Sequence, residues 1–329
     1  MDKKCNSKGS IKLYLDKKNK ILKPLLNTVE DNKEKSSQNE AVLLFNKNMI
    51  LYQKLSITEL KVYKMQQKNE KSDIRFVSAY SNTIQAFYEK HDYQTKFNDV
   101  YISFKHRSDL INWIIGYQST LNFSDDTLYF CIYLIDNYLQ HNMIYGSILK
   151  LFGISCLFIA GKYEEINFIE LKKIIDAVNY CEKKQICFGD TQIKWMERKI
   201  LQNLNYDIIF VNPLYFIRKS NRADFFNEKL RLMAKYFLDL MLMDEKLYSY
   251  SHKIKSTVAL YFARKICQLD HYENLFFLYS NLFPNEIKEC CYDFIQLIKQ
   301  PQIYQNIEKK YSDKNRMYVN IEARQILKL

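Results

Sequence analysis

The segment "LFGISCLFIAGKYEEI", residues 151–166, constrains the fold more than any other stretch of the chain. Wound as a helix it is apolar on every side, and it then ends in Lys162, Tyr163, Glu164 and Glu165. A helix with no polar face is normally surrounded by other helices. Its apolar run is broken by Lys150 and Lys162, which makes it too short to span a bilayer, so the surroundings are protein. Gly153, Ser155, Cys156, Ala160 and Gly161 are small and let neighbouring backbones come close. The segment therefore reads as the centre of a helical bundle, and its charged end as the place where that centre reaches the surface.

The rest of the chain agrees with an all-helical reading. It holds only 6 Gly and 4 Pro in 329 residues, where these two types usually supply about 12%, and sheet proteins need many turns. Residues 1 to about 40 are polar and rich in Lys and Asn, a composition that does not bury a core. In 73–92, Phe76, Tyr80, Ile84 and Phe87 form one helical stripe. A dense block follows over about 105–208, with five helices at "KHRSDLINWIIGYQSTL", "FSDDTLYFCIYLIDNYL", the opening segment, "NFIELKKIIDAV" and "DTQIKWMERKILQNLNY". Ser124 and Asn167 are placed to cap the second and fourth, and Asp125 and Asp126 sit at the positive end of the second. The pattern restarts at "VNPLYFI", with Asn212 as cap and Pro213 as first helical residue. The second block echoes the first: "TLYFCIYLIDNYL" with "RLMAKYFLDLMLM", and the helix ending "IAGKYEE" with the one ending "YFARKI".

Composition narrows the chemistry. None of the eight cysteines makes a CxxC pair and the five histidines make no HxxxH pair, so no metal and no disulfide frame are expected. None of the six glycines forms a GxG or phosphate-cradling loop, and no nucleophile–base pair stands out; no cofactor and no catalytic residue are expected. No apolar signal region or membrane span is seen. The net charge of +12 fits AT-rich codon usage, an acidic protein partner or nucleic acid, in that order of preference.

Two pairs of charges break the apolar pattern. In the fifth helix Ile193, Met196, Ile200, Leu201 and Leu204 make the inward stripe, and Glu197 lies within it. A buried carboxylate without a partner costs several kcal/mol, so Glu197 requires a cation or a donor. Lys162 is a candidate, within this chain's core or jointly at an interface; alone, it is a solvated lysine at a helix C-terminus. In the first helix Arg107 shares the inward face of Leu110, Ile111 and Ile114, and Asp136 edges the inward stripe of the second. Arg107 with Asp136 is expected as a structural inter-helix pair.

The stretches "HRSDLINWI" (106–114), "TLYFCIYLIDNYL" (127–139), "IAGKYEE" (159–165), "WMERKIL" (195–201) and "NPLYFIRKS" (212–220) stand in the order and spacing of a cyclin box, and the chain from about 76 to 300 resembles an A/B-type, mitotic-like cyclin. "VSAYSNTIQAFY" (77–88) resembles that family's N-terminal helix. The resemblance implies an all-α fold: two tandem five-helix cyclin-box domains plus an N-terminal helix and a disordered N-terminal tail. The implied division is a mostly disordered tail over 1–72, N-terminal helix and first box over 73–208, second box over 209–300 and a C-terminal tail over 301–329. It implies a regulatory, activating subunit, itself no enzyme, that binds the catalytic subunit of a cyclin-dependent protein kinase, with phosphorylation substrates as further partners and a place in nucleus and cytoplasm. Lys162, Glu197, Tyr80 and Ile84 match the kinase-binding positions, and Arg107 with Asp136 the internal brace.

The sequence also departs from the family. Of its substrate-docking patch only Leu110, Trp113 and Leu149 match, since His106, Asp109, Gly116 and Lys150 replace the residues expected there. No arginine precedes Arg75, so the Arg-x-x-Leu degradation signal of mitotic cyclins is absent or altered. The rival expectation is a cyclin-fold transcription factor that binds DNA or the transcription machinery, and a generic helical scaffold is the third.

Overall fold

The computed structural model describes residues 47–73, 78–92, 102–167, 170–181, 188–299 and 304–327, and among them every regular element is helical. Residues 1–46 of the expected tail, and Phe76, lie outside the described residues. The described part of the chain up to Lys54 is helical over 47–53 and forms a unit apart from the body that begins at Leu55.

Order in the body starts earlier than the boundary expected at residue 72. Helix α1 (Ile57–Ser72) opens with a capping box: the Glu59 amide donates to Ser56 Oγ at 3.2 Å and the Ser56 amide to Glu59 Oε2 at 2.8 Å. Its buried side chains are Glu59, Gln66 and Glu70, not an apolar stripe, which is why periodicity hides it. A 3-10 turn, Ser78–Tyr80, leads into α2 (Ser81–His91).

The first block comprises α3 (Phe104–Thr120), α4 (Asp125–Leu139), α5 (Gly146–Glu164), α6 (Leu171–Cys181) and α7 (Asp190–Asn203). Helix α5, the opening segment of the sequence, packs against α3, α4 and α7. Phe152, Ile154, Cys156, Leu157 and Ala160 are fully buried on it. A Cβ on Gly153 would stand 2.8 Å from Leu110 Cδ1, so the missing side chain is what lets α3 approach. Ser124 caps α4 by accepting from the Thr127 amide at 3.2 Å. Asn167 is not the cap of α6, which begins at Leu171.

The second block repeats the plan with α8 (Pro213–Ser220), α9 (Glu228–Met241), α10 (His252–Ile266), α11 (Glu273–Ser280) and α12 (Pro284–Ile298). Asn212 Oδ1 accepts from the Leu214 amide at 2.9 Å ahead of Pro213. Helix α10 is central here, against α8, α9 and α12. The stretch read as a C-terminal tail carries α13 (Gln305–Tyr311) and α14 (Val319–Leu327). They pack on α3 and α9, with Ile307, Tyr311, Val319 and Ala323 fully buried. Two anchors per short helix are too few for a period to show.

Charged groups join the blocks. Asp125, at the start of α4, accepts from Lys235 at 2.7 Å, from Lys310 at 3.0 Å and from Arg316 at 2.7 and 3.0 Å. Asp239, fully buried on α9, accepts from the Tyr129 hydroxyl at 2.5 Å, from Lys310 at 2.8 Å and from the Tyr311 hydroxyl at 2.9 Å. One network thus ties α4, α9 and α13. Arg107, 1% exposed, donates to both oxygens of Asp136 at 2.6 and 2.7 Å and to the Leu242 carbonyl at 2.7 Å. The pair anticipated within the first block therefore also reaches the second.

Candidate partner-binding surface

Helix α2 is held by polar contacts on one side and is apolar on the other. Asp92, just past its end, accepts from the His252 and Lys253 amides at 2.8 and 2.9 Å, satisfying free donors at the start of α10. Burial pushes the Asp92 carboxyl up, against the hydrogen bonds that favour its charged form. Glu89 accepts from Lys253 at 3.2 Å and from Asn281 and Gln85 at 3.0 Å. Burial works against the Glu89 charge, but Lys253 and Asn281 outweigh it and the carboxyl is lowered. Tyr88 stacks on Tyr215, ring centres 4.1 Å apart. The stripe Tyr80, Ile84 and Phe87 consequently faces solvent, at 63%, 37% and 45% exposure. The sequence marks this stripe but not its direction, and nothing local in it singles out Asp92 or Glu89.

The end of α5 resolves into three roles. Lys162 makes an ion pair with Glu197 of α7, its ammonium 4.4 Å from the centre of the Phe158 ring. The Lys162 side chain is 34% exposed and that of Glu197 16%. The two residues are thus brought together at the surface. Glu165 accepts from the Ser124 amide at 2.7 Å and the Thr127 hydroxyl at 2.5 Å, tying α5 to the start of α4. Glu164 lines an open cavity of ≈ 400 Å³ together with Phe87, Tyr163, Asp126, Ile209 and Arg218. Burial first, then Asp126 and Glu165 beside it, raise its carboxyl, with Arg218 opposing. The cavity places Phe87 and Tyr88 of α2 beside Tyr163 and Glu164 at the end of α5. In the second block the counterpart is closed: Arg264, near the end of α10, pairs with Asp224 at 2.5 Å, the side chains 3% and 2% exposed.

The residual substrate-docking positions Leu110, Trp113 and Leu149 differ in exposure. Leu110 is buried against the Gly153 position, because α3 turns it into the block. Trp113 and Leu149 are half-buried, and the Lys150 ammonium stands 5.0 Å over the Trp113 ring. Asn306 of α13 donates to the Asn112 carbonyl at 2.8 Å and lies against Gly116. Among the described residues there is no cluster of His, Cys, Asp or Glu able to hold a metal ion, and no helix long and apolar enough to cross a membrane.

Tandem five-helix blocks, each around a central helix, define the two-domain cyclin fold. Residues 75–209 match the family model described as "Cyclin, N-terminal domain", and residues 211–325 match "Cyclin, C-terminal domain", a range that takes in α13 and most of α14. The chain belongs to the cyclin family. It is 30% identical over 246 residues to the G2/mitotic-specific cyclin-B of Hydra vulgaris, covering 73% of this chain and 64% of that one. It is 26% identical over 224 residues to the G2/mitotic-specific cyclin-B of Emericella nidulans, covering 68% and 46%. The chain thus spans only part of the length of these relatives. Among solved structures, a viral cyclin from herpesvirus saimiri shares the fold with a TM-score of 0.53 at 15% identity, covering 65% of this chain and 90% of that one. A chain of the yeast RNA Pol II CTD kinase CTDK-1 complex does so with a TM-score of 0.50 at 15% identity, covering 71% and 81%.

Proposed function

We propose that this chain is a regulatory subunit that binds and activates a cyclin-dependent serine/threonine protein kinase and so controls cell-cycle progression, without catalysing a reaction itself. The observation that carries the reading is the outward face of α2. An apolar stripe at Tyr80, Ile84 and Phe87 is left exposed, and Phe87 shares a cavity with Tyr163 and Glu164, which follow Lys162 of the Lys162–Glu197 pair in the chain. Contiguous exposed apolar surface marks an interaction site, and a charge pair at its edge supplies direction. Family membership and the mitotic names of the relatives support a cyclin-dependent kinase as the class of partner. A kinase needs its Lys–Glu ion pair and its activation loop in place. A rigid helical face that binds only that arrangement shifts the population toward it. On the same resemblance we place the complex in the nucleus and the cytoplasm, which imaging of a tagged chain tests.

The test is a charge exchange. Lys162→Glu with Glu197→Lys in one chain restores the internal pair in reverse. If the two residues also bond to the kinase, the exchanged chain stays folded yet binds the co-expressed catalytic subunit at least about tenfold more weakly, since hydrogen bonds to charged groups are worth about 1.5–3 kcal/mol. Undiminished kinase binding and activation by the exchanged chain would sink the assignment of this pair.

A further inference from the structure

The stretch that no family model covers carries a surface of its own. Helix α1 ends ahead of residue 75, where the first match begins. Its two acidic residues, Glu59 and Glu70, both point inward and are buried. Glu59 accepts from the Leu275 amide at 3.1 Å, Glu70 pairs with Arg222 at 3.3 Å, and Gln66 donates to the Arg222 carbonyl at 2.6 Å and accepts from the Tyr279 hydroxyl at 2.6 Å. These contacts fix the rotation of α1 on the second block. On the opposite side Lys61, Lys64, Lys68 and Lys71 stand exposed in one row, spaced three, four and three residues apart. None of the four makes an ion pair or hydrogen bond among the described residues. Ile57, 77% exposed, and Met65, 48% exposed, share that face.

A solvated helix face usually mixes signs, because opposite charges three or four residues apart stabilise it and like charges at those spacings destabilise it. Here every neighbour along the row is a like charge, and both acids that could relieve it are bonded elsewhere. We propose that this row is a docking surface for an acidic peptide segment of a partner protein. From Lys61 to Lys71 is ten residue steps, about 15 Å of helix, which an extended chain of about five residues covers. The row is one residue wide, and the exposed face offers no arginine and no aromatic ring for stacking on bases, the features that single-stranded nucleic acid sites combine. Two apolar side chains are too few for insertion into a lipid surface, which takes a whole apolar face. They suit the aliphatic stems of glutamates. None of these lysines is among the residues assigned to the kinase-binding face, although α1 packs on the 3-10 turn that ends at Tyr80.

Fluorescence anisotropy of the full chain with a labelled octa-glutamate peptide tests the proposal. The expected result is saturable binding that weakens with salt and falls at least about tenfold when Lys61, Lys64, Lys68 and Lys71 are changed together to Gln, while Lys172→Gln with Lys173→Gln leaves it unchanged. The Lys162→Glu, Glu197→Lys chain retains the binding, which separates this surface from the kinase face. Amide-exchange protection of α1 is expected to stay the same in the four-lysine variant. The proposal fails if that variant binds the peptide as the parent chain does, if α1 loses protection and binding together, or if a short DNA duplex or phosphatidylserine vesicles compete the peptide off these lysines at lower concentration than unlabelled peptide does.

Discussion

Glu197 and Arg107 are the same kind of exception, a charge set in an apolar stripe, and burial separates them. Arg107 is 1% exposed and its guanidinium has three acceptor oxygens, two on Asp136 and one on Leu242. Breaking a buried pair by removing one partner costs about 3–5 kcal/mol, because the other charge is left uncompensated. Arg107→Ala is therefore expected to lower unfolding free energy by about that much in urea titration. Lys162→Ala removes a pair whose lysine is 34% exposed, and partly solvated pairs are worth about 0–1 kcal/mol. Its expected loss of stability is below about 1 kcal/mol, and a loss as large as that of Arg107→Ala would show that the pair at 162 and 197 braces the fold. Both pairs could be picked out from sequence, because a charge among apolar neighbours at helical spacing is visible in one dimension. Exposure is not visible there, since it depends on which third element covers the pair. Leu110 shows the same limit: its match to a docking position says nothing of its burial against Gly153.

At the level of elements, periodicity reads what packs through an apolar stripe and misses what packs through polar groups. Helices α3 to α5, α7 and α8 to α10 were foreseeable because their inward faces are apolar. Helix α1 docks through Glu59, Gln66 and Glu70, and α13 and α14 through a few buried side chains each, so the body extends beyond the boundaries at 72 and 301 that apolar periodicity suggests. Helix α2 shows the functional side of this rule. Its apolar stripe is exposed because Asp92, Glu89 and Tyr88 do the docking. Asp92→Ala removes the acceptor for two amides at the start of α10. Loss of a helix cap costs about 1 kcal/mol, too little to unfold the body but enough to loosen α2. Faster amide exchange in α2, with global unfolding nearly unchanged, is the expected outcome in hydrogen–deuterium exchange. Kinase binding is expected to fall with it, because Tyr80 and Ile84 lose their fixed place. Full binding with a demonstrably mobile α2 would remove that helix from the interface.

Across the whole molecule, the two blocks and the C-terminal helices are joined at Asp125 and Asp239, and this junction gives stability a pH dependence with a definite sign. Burial opposes the charge on Asp125, but Lys310, Arg316 and Lys235 surround it and hold its carboxyl well below the usual carboxylate range. The ordinary value in an unfolded chain is about 3.9. As pH falls through that value the unfolded chain takes up a proton that the folded one refuses, so the stabilisation is complete above about 4 and is lost as pH drops toward the folded value. Tyr129, Tyr311 and Lys310, which share the junction, do not blur that window. Burial, with Asp239 next, raises the hydroxyls of Tyr129 and Tyr311, and Asp125 with Asp239 raises Lys310 against burial; all three titrate at the alkaline end. Asp125→Asn keeps the shape but leaves Lys310, Lys235 and Arg316 without their anion. Unfolding free energy near pH 7 is expected to drop by about 3–5 kcal/mol, and thermal unfolding between pH 3 and 5 to lose part of the acid slope seen in the parent chain. A variant that keeps the full slope would move the acid sensitivity to other carboxylates, and one that keeps full stability would mean that apolar packing alone holds the blocks and the C-terminal helices together.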